Sequence, residues 1–152
     1  MVKSQNTLDK VNILFLCTGN SCRSQMAEGL ARHFRGSKIE ASSAGTKPQR
    51  LNLHAVRVMN EIGIDISAHR SKKVEELGDK LFDYVITVCD EASENCPFWP
   101  GRGVVVHRGF DDPPRLASNA VSEEEALESY RRVRDEIKDY VLTLPDCLPV
   151  RK

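Results

Sequence analysis

The sequence contains no long apolar run and no excess of either charge. Its hydrophobic stretches all fall short of the roughly 20 residues of a membrane span, and residues 1–10 lack the apolar segment of a signal peptide. The 22 lysines and arginines balance 22 aspartates and glutamates, so no overall positive field exists to attract nucleic acid or an acidic membrane surface. We therefore expect a cytoplasmic protein whose partners are small molecules or other proteins, and neither nucleic acid nor a membrane.

The five cysteines are an odd number, which argues against a scaffold held by disulfides. Cys89 and Cys96 do not have the spacing of the close pairs that bind zinc, and no histidine pair accompanies them. We expect reduced thiols in a reducing compartment, with no bound metal or cofactor. The 152 residues suffice for one domain with its own core. We place that domain at residues 11–145, with terminal extensions at 1–10 and 146–152.

Short apolar runs alternate with amphipathic helical patterns along the chain. The runs at 11–16, 39–44, 84–88 and 104–107 predict strands. Helices are predicted from Ser24 to Gly36, from the Asn52 cap to Gly63, at 74–77, and from a Ser122 and Glu125 capping box to near Leu144. This alternation predicts an α/β fold: a three-layer, open, parallel, four-stranded sheet with helices on both faces.

The segment between the first strand and the first helix reads CTGNSCRS, residues 17–24. Such a loop can curl so that successive backbone N–H groups point inward and form an anion site at a helix N-terminus. Arg23 can hold two oxygens of a tetrahedral dianion, and its charge favours the thiolate form of Cys17. We expect Cys17 to be the nucleophile and the remaining loop residues to bind the substrate: Thr18, Gly19, Asn20, Ser21, Cys22, Arg23 and Ser24.

The sequence leaves the role of one loop residue, Ser24, open. Ser24 either caps the helix or bonds to the Cys17 sulfur. Cys22 is expected to be structural or protective rather than catalytic. Because the loop has no lysine and few glycines, it does not match the nucleotide-binding pattern, and ATP is not indicated.

Attack on a phosphoryl or arsenate centre expels an oxygen that leaves well only when it is protonated. Asp112, followed by Pro113 after the last strand, suits the role of that acid. Asp111 is the competitor, in which case Asp112 would be a turn residue. Cys17, Cys89 and Asp112 all follow predicted strands, at the edge where parallel sheets bind ligands.

Cys89 and Cys96 distinguish two chemistries, because a hydrolytic enzyme has no use for extra thiols. In a helix their α-carbons would lie roughly 10 Å apart, whereas a disulfide tolerates only about 4.4–6.8 Å. Joining them requires the segment to unwind, and Ser93, Asn95 and Pro97 make a weak helix there. We interpret the pair as a redox switch; the alternative is two unrelated cysteines.

Four motifs together resemble the thioredoxin-coupled arsenate reductases built on the low-molecular-weight protein tyrosine phosphatase fold. They are residues 17–28 (CTGNSCRSQMAE), 43–45 (SAG), Cys89 with Cys96-Pro97, and 109–113 (GFDDP). The resemblance implies that Cys17 attacks arsenate with Asp112 assisting the departure of water. It further implies that Cys89 releases arsenite, that Cys96 then attacks Cys89, and that thioredoxin, an external reductant, reduces the resulting disulfide.

Some members of that group bind a monovalent cation beside the loop, and the corresponding residues here would include Asn20, Glu28 and Ser43. Lys72 stands where an acidic ligand would help. We therefore expect Lys72 to replace the ion and predict no metal.

The alternative enzyme is a low-molecular-weight phosphotyrosine protein phosphatase, which would share Cys17, Arg23 and Asp112 but use water to release the phosphate. Gln25 in place of a proline, and the absence of a tyrosine pair after Asp112-Pro113, count against it. Residual phosphatase activity is nonetheless expected, because the loop chemistry is common to both. A non-enzymatic module that docks a phosphorylated partner would leave the acid without a role.

Overall fold

A computed structural model describes residues 10–90, 99 and 101–150. Four strands form one parallel sheet with the order β2-β1-β3-β4. Their bounds are Val11–Cys17 (β1), Ile39–Gly45 (β2), Tyr84–Thr87 (β3) and Val104–His107 (β4). The predicted parallel four-stranded sheet is confirmed, and each strand bound lies within one residue of its expected position.

The α-helices are α1 (Arg23–Arg35), α2 (Leu53–Glu61), α3 (Pro113–Leu116) and α4 (Glu123–Val141). One-turn 3₁₀ helices occupy Val74–Leu77 and Ala117–Asn119. The predicted caps are present: the Asn52 side chain accepts from the Ala55 amide, and the Ser122 side chain accepts from the Glu125 amide. Both α2 and α4 end two to three residues earlier than their apolar patterns suggested. In the described part of the chain no helix has the length and hydropathy to cross a membrane.

β1 is a central strand that is buried on both faces. Ile13 and Phe15 join the core cluster on one side of the sheet, while Leu14 and Leu16 join the cluster on the other. Successive strand residues point to opposite faces, so a strand covered on both sides reads as a continuous apolar run. This is why the run before Cys17 was a reliable strand signal.

The two faces of the sheet are covered differently. The inner faces of α1, α2 and α4 pack on the larger core cluster. On the opposite face, within the described residues, the cover consists of the 3₁₀ helix at Val74–Leu77 and Trp99. Helical elements therefore cover both faces of the sheet, as predicted, but the layer on the face opposite α1, α2 and α4 is thin.

The strand order places a topological switch point at the carboxyl end of β1. The chain leaves β1 to form β2 on one side and returns to form β3 on the other. Cys17 lies opposite Gly45, and Leu16 lies opposite Thr87. Ligands of open α/β sheets bind at such a crevice, so the fold presents residue 17 at the expected position.

α3 was not predicted, because four residues are too few to show a period. Its helix begins with Pro113 and Pro114, whose fixed φ suits the first turn. Asp112 occupies the N-cap position, in extended conformation. The alternative of an Asp-Pro turn is therefore replaced by the start of a short helix, and this start fixes the direction of the Asp112 backbone.

Gly45→Ala should destabilise the protein, because β2 ends directly against the loop that follows β1. A β-carbon at position 45 would lie 2.4 Å from the Thr18 carbonyl oxygen and 3.0 Å from the Asn20 amide nitrogen. Both are backbone atoms, so the loop itself would have to shift. We expect the free energy of unfolding in urea to fall by about 2 kcal/mol.

Gly63→Ala is the matched control for this substitution. Gly63 has φ +83° and no atom near the position of an added β-carbon, so only backbone strain of about 1 kcal/mol applies. If Gly45→Ala lowers the free energy of unfolding no more than Gly63→Ala does, the close approach of Gly45 to the backbone of the loop is contradicted.

Candidate active site

Cys17 is the last residue of β1, and its thiol lies almost fully buried at the sheet edge. Its sulfur is 2.9 Å from the Ser24 hydroxyl oxygen, and the Asn20 amide donates to it at 3.3 Å. The N-cap of α1 is Cys22 rather than Ser24. Ser24 therefore does not cap α1. It contacts the Cys17 sulfur, which is the other role that the sequence left open for it.

The carbonyl groups of residues 18–21 all accept hydrogen bonds from outside the loop. The donors, at 2.6–3.0 Å, are the amides of Lys47, Gln49 and Asn52 and the side chains of Gln25 and Ser71. In a trans peptide the N–H points opposite to the C=O of the same unit. The amides of residues 19–22 are thereby turned to the inner side of the loop, and the Asn20 contact with sulfur shows the sense of that turn. The result is a ring of inward N–H groups, a geometry that suits an anion, and the binding of an anion there stays a prediction.

Asn20 has a left-handed backbone, with φ 49°. This conformation is uncommon outside glycine, although asparagine tolerates it better than most residues. Its side chain donates to the Ser24 hydroxyl at 2.9 Å and accepts from the Lys72 amide at 2.9 Å and from Gln25 Nε2 at 3.1 Å. These bonds hold the tight turn of the loop, a role that the motif alone did not assign to Asn20.

Arg23 connects the loop to the segment that carries the expected acid. Its Nη1 donates to the Phe110 carbonyl oxygen at 3.0 Å, and its Nη2 lies 3.4 Å from Asp112 Oδ1. Asp111 instead forms an ion pair with Arg132 of α4, at the exposed surface. Of the two adjacent aspartates, the structure brings Asp112 to the loop and directs Asp111 away from it.

Cys22 is a free, buried thiol. Burial raises its pKa well above the ordinary value, and the positive charge of Arg23 only partly offsets that effect. Cys22 therefore stays protonated at neutral pH and cannot compete as a nucleophile. This geometry agrees with the structural or protective role expected from the sequence.

Gln25 and His69 together support the loop, and nothing in the sequence indicated this role. Gln25 Nε2 donates to the Asn20 and Arg70 carbonyl oxygens. Since that nitrogen is the donor, Gln25 Oε1 accepts from His69 Nδ1 at 3.0 Å. Burial lowers the pKa of His69, and the Glu28 carboxylate only partly offsets this. No pattern in the sequence connects positions so far apart.

Lys72 lies beside Glu28 and Ser43, two of the residues for which the resemblance raised a monovalent cation. Its ammonium nitrogen is 4.0 Å from Glu28 Oε1 and donates to the Arg70 carbonyl oxygen at 3.2 Å. Ser43 donates to the same carboxylate. Burial lowers the pKa of Lys72, while Glu28 acts in the opposite direction. The geometry supports the expectation that Lys72 takes the place of an ion, and the absence of a metal stays a prediction.

Cys89 follows β3 by two residues, is fully buried and is disulfide-bonded. The neighbouring Val88 carbonyl accepts from the Phe110 amide at 3.1 Å. A β-carbon on Gly109 would lie 2.8 Å from the Cys89 carbonyl oxygen. The backbone at Cys89 therefore packs directly on the segment that leads to Asp112. Cys96 and the segment that was expected to unwind, with Ser93, Asn95 and Pro97, lie outside the described residues.

The profile of the low molecular weight phosphotyrosine protein phosphatase family matches residues 12–148. The chain belongs to this family. Within it, the chain is 42% identical to an arsenate reductase of Halalkalibacterium halodurans over 139 residues, which cover 91% of this chain and 98% of that protein. It is 46% identical to an arsenate reductase of Bacillus subtilis (strain 168) over 125 residues, which cover 82% and 88% of the two chains.

Solved structures give the same picture. An arsenate reductase in the phosphate binding state is 33% identical, with TM-score 0.71 over 88% of this chain and 95% of that chain. The low molecular weight protein tyrosine phosphatase of T. tengcongensis is 28% identical, with TM-score 0.68 over 91% and 100%. A thioredoxin-dependent arsenate reductase of Corynebacterium glutamicum is 25% identical, with TM-score 0.61 over 89% and 62%. The fold and the resemblance inferred from the motifs are confirmed.

The free energy of unfolding should decrease as the pH falls below about 6.5, in part because of His69. Since the folded pKa is lowered from its ordinary value of 6.5, the unfolded chain binds a proton that the folded protein resists, and acid favours unfolding. Above about pH 7 both states are neutral and this contribution vanishes. His69→Asn should reduce the slope between about pH 5 and 7 in urea titrations.

His33→Asn serves as the control, because His33 is an exposed residue of α1. It should keep the wild-type slope. A His69→Asn protein with an unchanged slope would contradict the assignment of this acid sensitivity to His69.

Proposed function

We propose that this protein is an arsenate reductase that works through three cysteines. The observation that carries the proposal is the disulfide at Cys89, whose backbone packs on the segment leading to the expected acid. A hydrolytic phosphatase requires a loop cysteine and an acid but no further thiol. The similarity to arsenate reductases over nearly the whole chain supports the same conclusion.

In the proposed first step, arsenate occupies the ring of amides at residues 19–22, and Arg23 holds two of its oxygens. The Cys17 thiolate attacks arsenic, one oxygen leaves as water, and Asp112 supplies a proton to it. The 3.4 Å contact between Arg23 and Asp112 supports this role, because it places the acid at the guanidinium that would hold the substrate.

In the second step the Cys89 thiolate attacks the Cys17 sulfur. A Cys17–Cys89 disulfide forms, the sulfur–arsenic bond breaks, and its electron pair stays on arsenic, which leaves as arsenite. The Cys96 thiolate then attacks the Cys89 sulfur, which releases the Cys17 thiolate and leaves a Cys89–Cys96 disulfide. Two electrons from thioredoxin return both sulfurs to thiols.

The identity of the reductant is part of the proposal. A solved relative described as thioredoxin-dependent supports thioredoxin as the partner. Cys89 is fully buried, so a protein reductant does not reach its sulfur directly. The cytoplasm, which keeps thiols reduced, is the expected compartment.

Phosphatase activity is the second candidate, and the family match to phosphotyrosine phosphatases favours it as a side activity. The nucleophile, arginine and acid are common to both reactions. Only the fate of the Cys17 adduct differs: water attack in one case and Cys89 attack in the other. The two functions are therefore separable by substitutions that leave the loop untouched.

Cys89→Ser and Cys96→Ser should each abolish continuous arsenate reduction and leave hydrolysis of an aryl phosphate within about twofold of wild type. Reduction is measured as loss of NADPH absorbance with thioredoxin, thioredoxin reductase and arsenate. Cys89→Ser cannot release arsenite, and Cys96→Ser cannot regenerate Cys17 from the mixed disulfide. Cys147→Ser, at an exposed free cysteine, is the control and should retain full activity. Sustained turnover by either relay variant would exclude the proposed order.

A further inference from the structure

Asn52 uses all four of its polar groups to join the loop at residues 17–24 to two helices. Its backbone amide donates to the Ser21 carbonyl oxygen at 2.9 Å, and its backbone carbonyl accepts from the Val56 amide at 3.1 Å. Its side-chain oxygen accepts from the Ala55 amide at 3.0 Å, which caps α2. Its side-chain nitrogen donates to the Tyr130 hydroxyl oxygen at 3.1 Å. Capping alone does not require this last bond.

Tyr130 is a buried residue of α4, the longest helix, and packs in the core. Burial raises its pKa to about 12, and the hydrogen bond from Asn52 acts in the opposite direction. Its hydroxyl bonds to Asn52, whose backbone amide bonds to Ser21, so two hydrogen bonds connect the phenol to the loop. At neutral pH the hydroxyl is protonated and serves as a fixed acceptor for Asn52.

The bond between Asn52 and Ser21 controls one peptide unit of the loop. Because the Ser21 carbonyl is held outward, the N–H of Cys22 points to the inner side, where the anion binds. The position of Asn52 depends in turn on α2 and on Tyr130. α4 thus has a hydrogen-bonded connection to an anion-binding amide without contributing a side chain to the loop.

We propose that Tyr130 and Asn52 are positioning residues for the capture of a tetrahedral oxyanion: Tyr130 fixes Asn52, and Asn52 holds the Ser21–Cys22 peptide with its N–H inward. This inference rests on the proposed function only insofar as the loop binds an oxyanion. It requires neither Cys89 nor a reductant.

Two conservative variants break the connection at different points. Tyr130→Phe removes the acceptor hydroxyl and keeps the ring. Asn52→Ser keeps an N-cap of equal quality but is too short to reach Tyr130. Loss of one buried hydrogen bond typically changes an equilibrium about fivefold. We expect each variant to weaken phosphate binding about fivefold, and the double variant to be no weaker than either single one.

Phosphate affinity is measured on the reduced full-length protein as protection of Cys17 from iodoacetamide, with the modified peptide followed by mass spectrometry. Thermal melting of every variant separates loop positioning from global stability. Glu123→Gln is the matched control, since it removes the ion pairs of Glu123 with His54 and Arg57 between the same two helices. It should leave phosphate affinity unchanged.

Wild-type affinity in Tyr130→Phe and Asn52→Ser would overturn the proposal, as would additive losses in the double variant or an equal loss in Glu123→Gln. In these cases, protection of Cys17 by phosphate in the wild-type protein would still show that the loop binds an oxyanion. If neither phosphate nor arsenate protects Cys17 in the wild type, the proposed function itself fails, and this inference fails with it.

Discussion

The proposed chemistry of this protein depends on four peptide carbonyls that point away from the inner side of the loop at residues 17–24. N–H groups that converge on one point repel each other, so a ring of inward amides needs compensating bonds on its outer side. The carbonyls of residues 18–21 obtain them from the segment after β2, from α1, and from Ser71. The loop is therefore shaped by three separate parts of the chain, and the proposed anion site depends on the folded protein.

The same arrangement distinguishes between two neighbouring thiols. The Cys17 sulfur shares a hydrogen bond with the Ser24 hydroxyl and accepts one from the Asn20 amide. Cys22 lies five positions later in an apolar environment that raises its pKa. Both cysteines are buried, so hydrogen bonding rather than exposure distinguishes the sulfur of Cys17 from that of Cys22.

The sequence predicted those features that are local or periodic. The apolar runs gave the four strands, the Asn52 and Ser122 caps gave two helix starts, and residues 17–24 gave the candidate site. The supports from Gln25, His69 and Tyr130 were not predictable, because they join positions that are 44 and 78 residues apart. The sequence favoured Asp112 over Asp111 as the acid, but it did not reveal that Arg132 of α4 holds Asp111 outward.

The most direct test of this account is a titration of the reduced, ¹⁵N-labelled protein with phosphate, followed by two-dimensional ¹H–¹⁵N spectra. We expect the largest chemical-shift changes at the amides of residues 19–22, whose protons should move downfield as they donate to the anion. Saturable binding that leaves these four resonances in place, and shifts others elsewhere in the protein, would contradict this account.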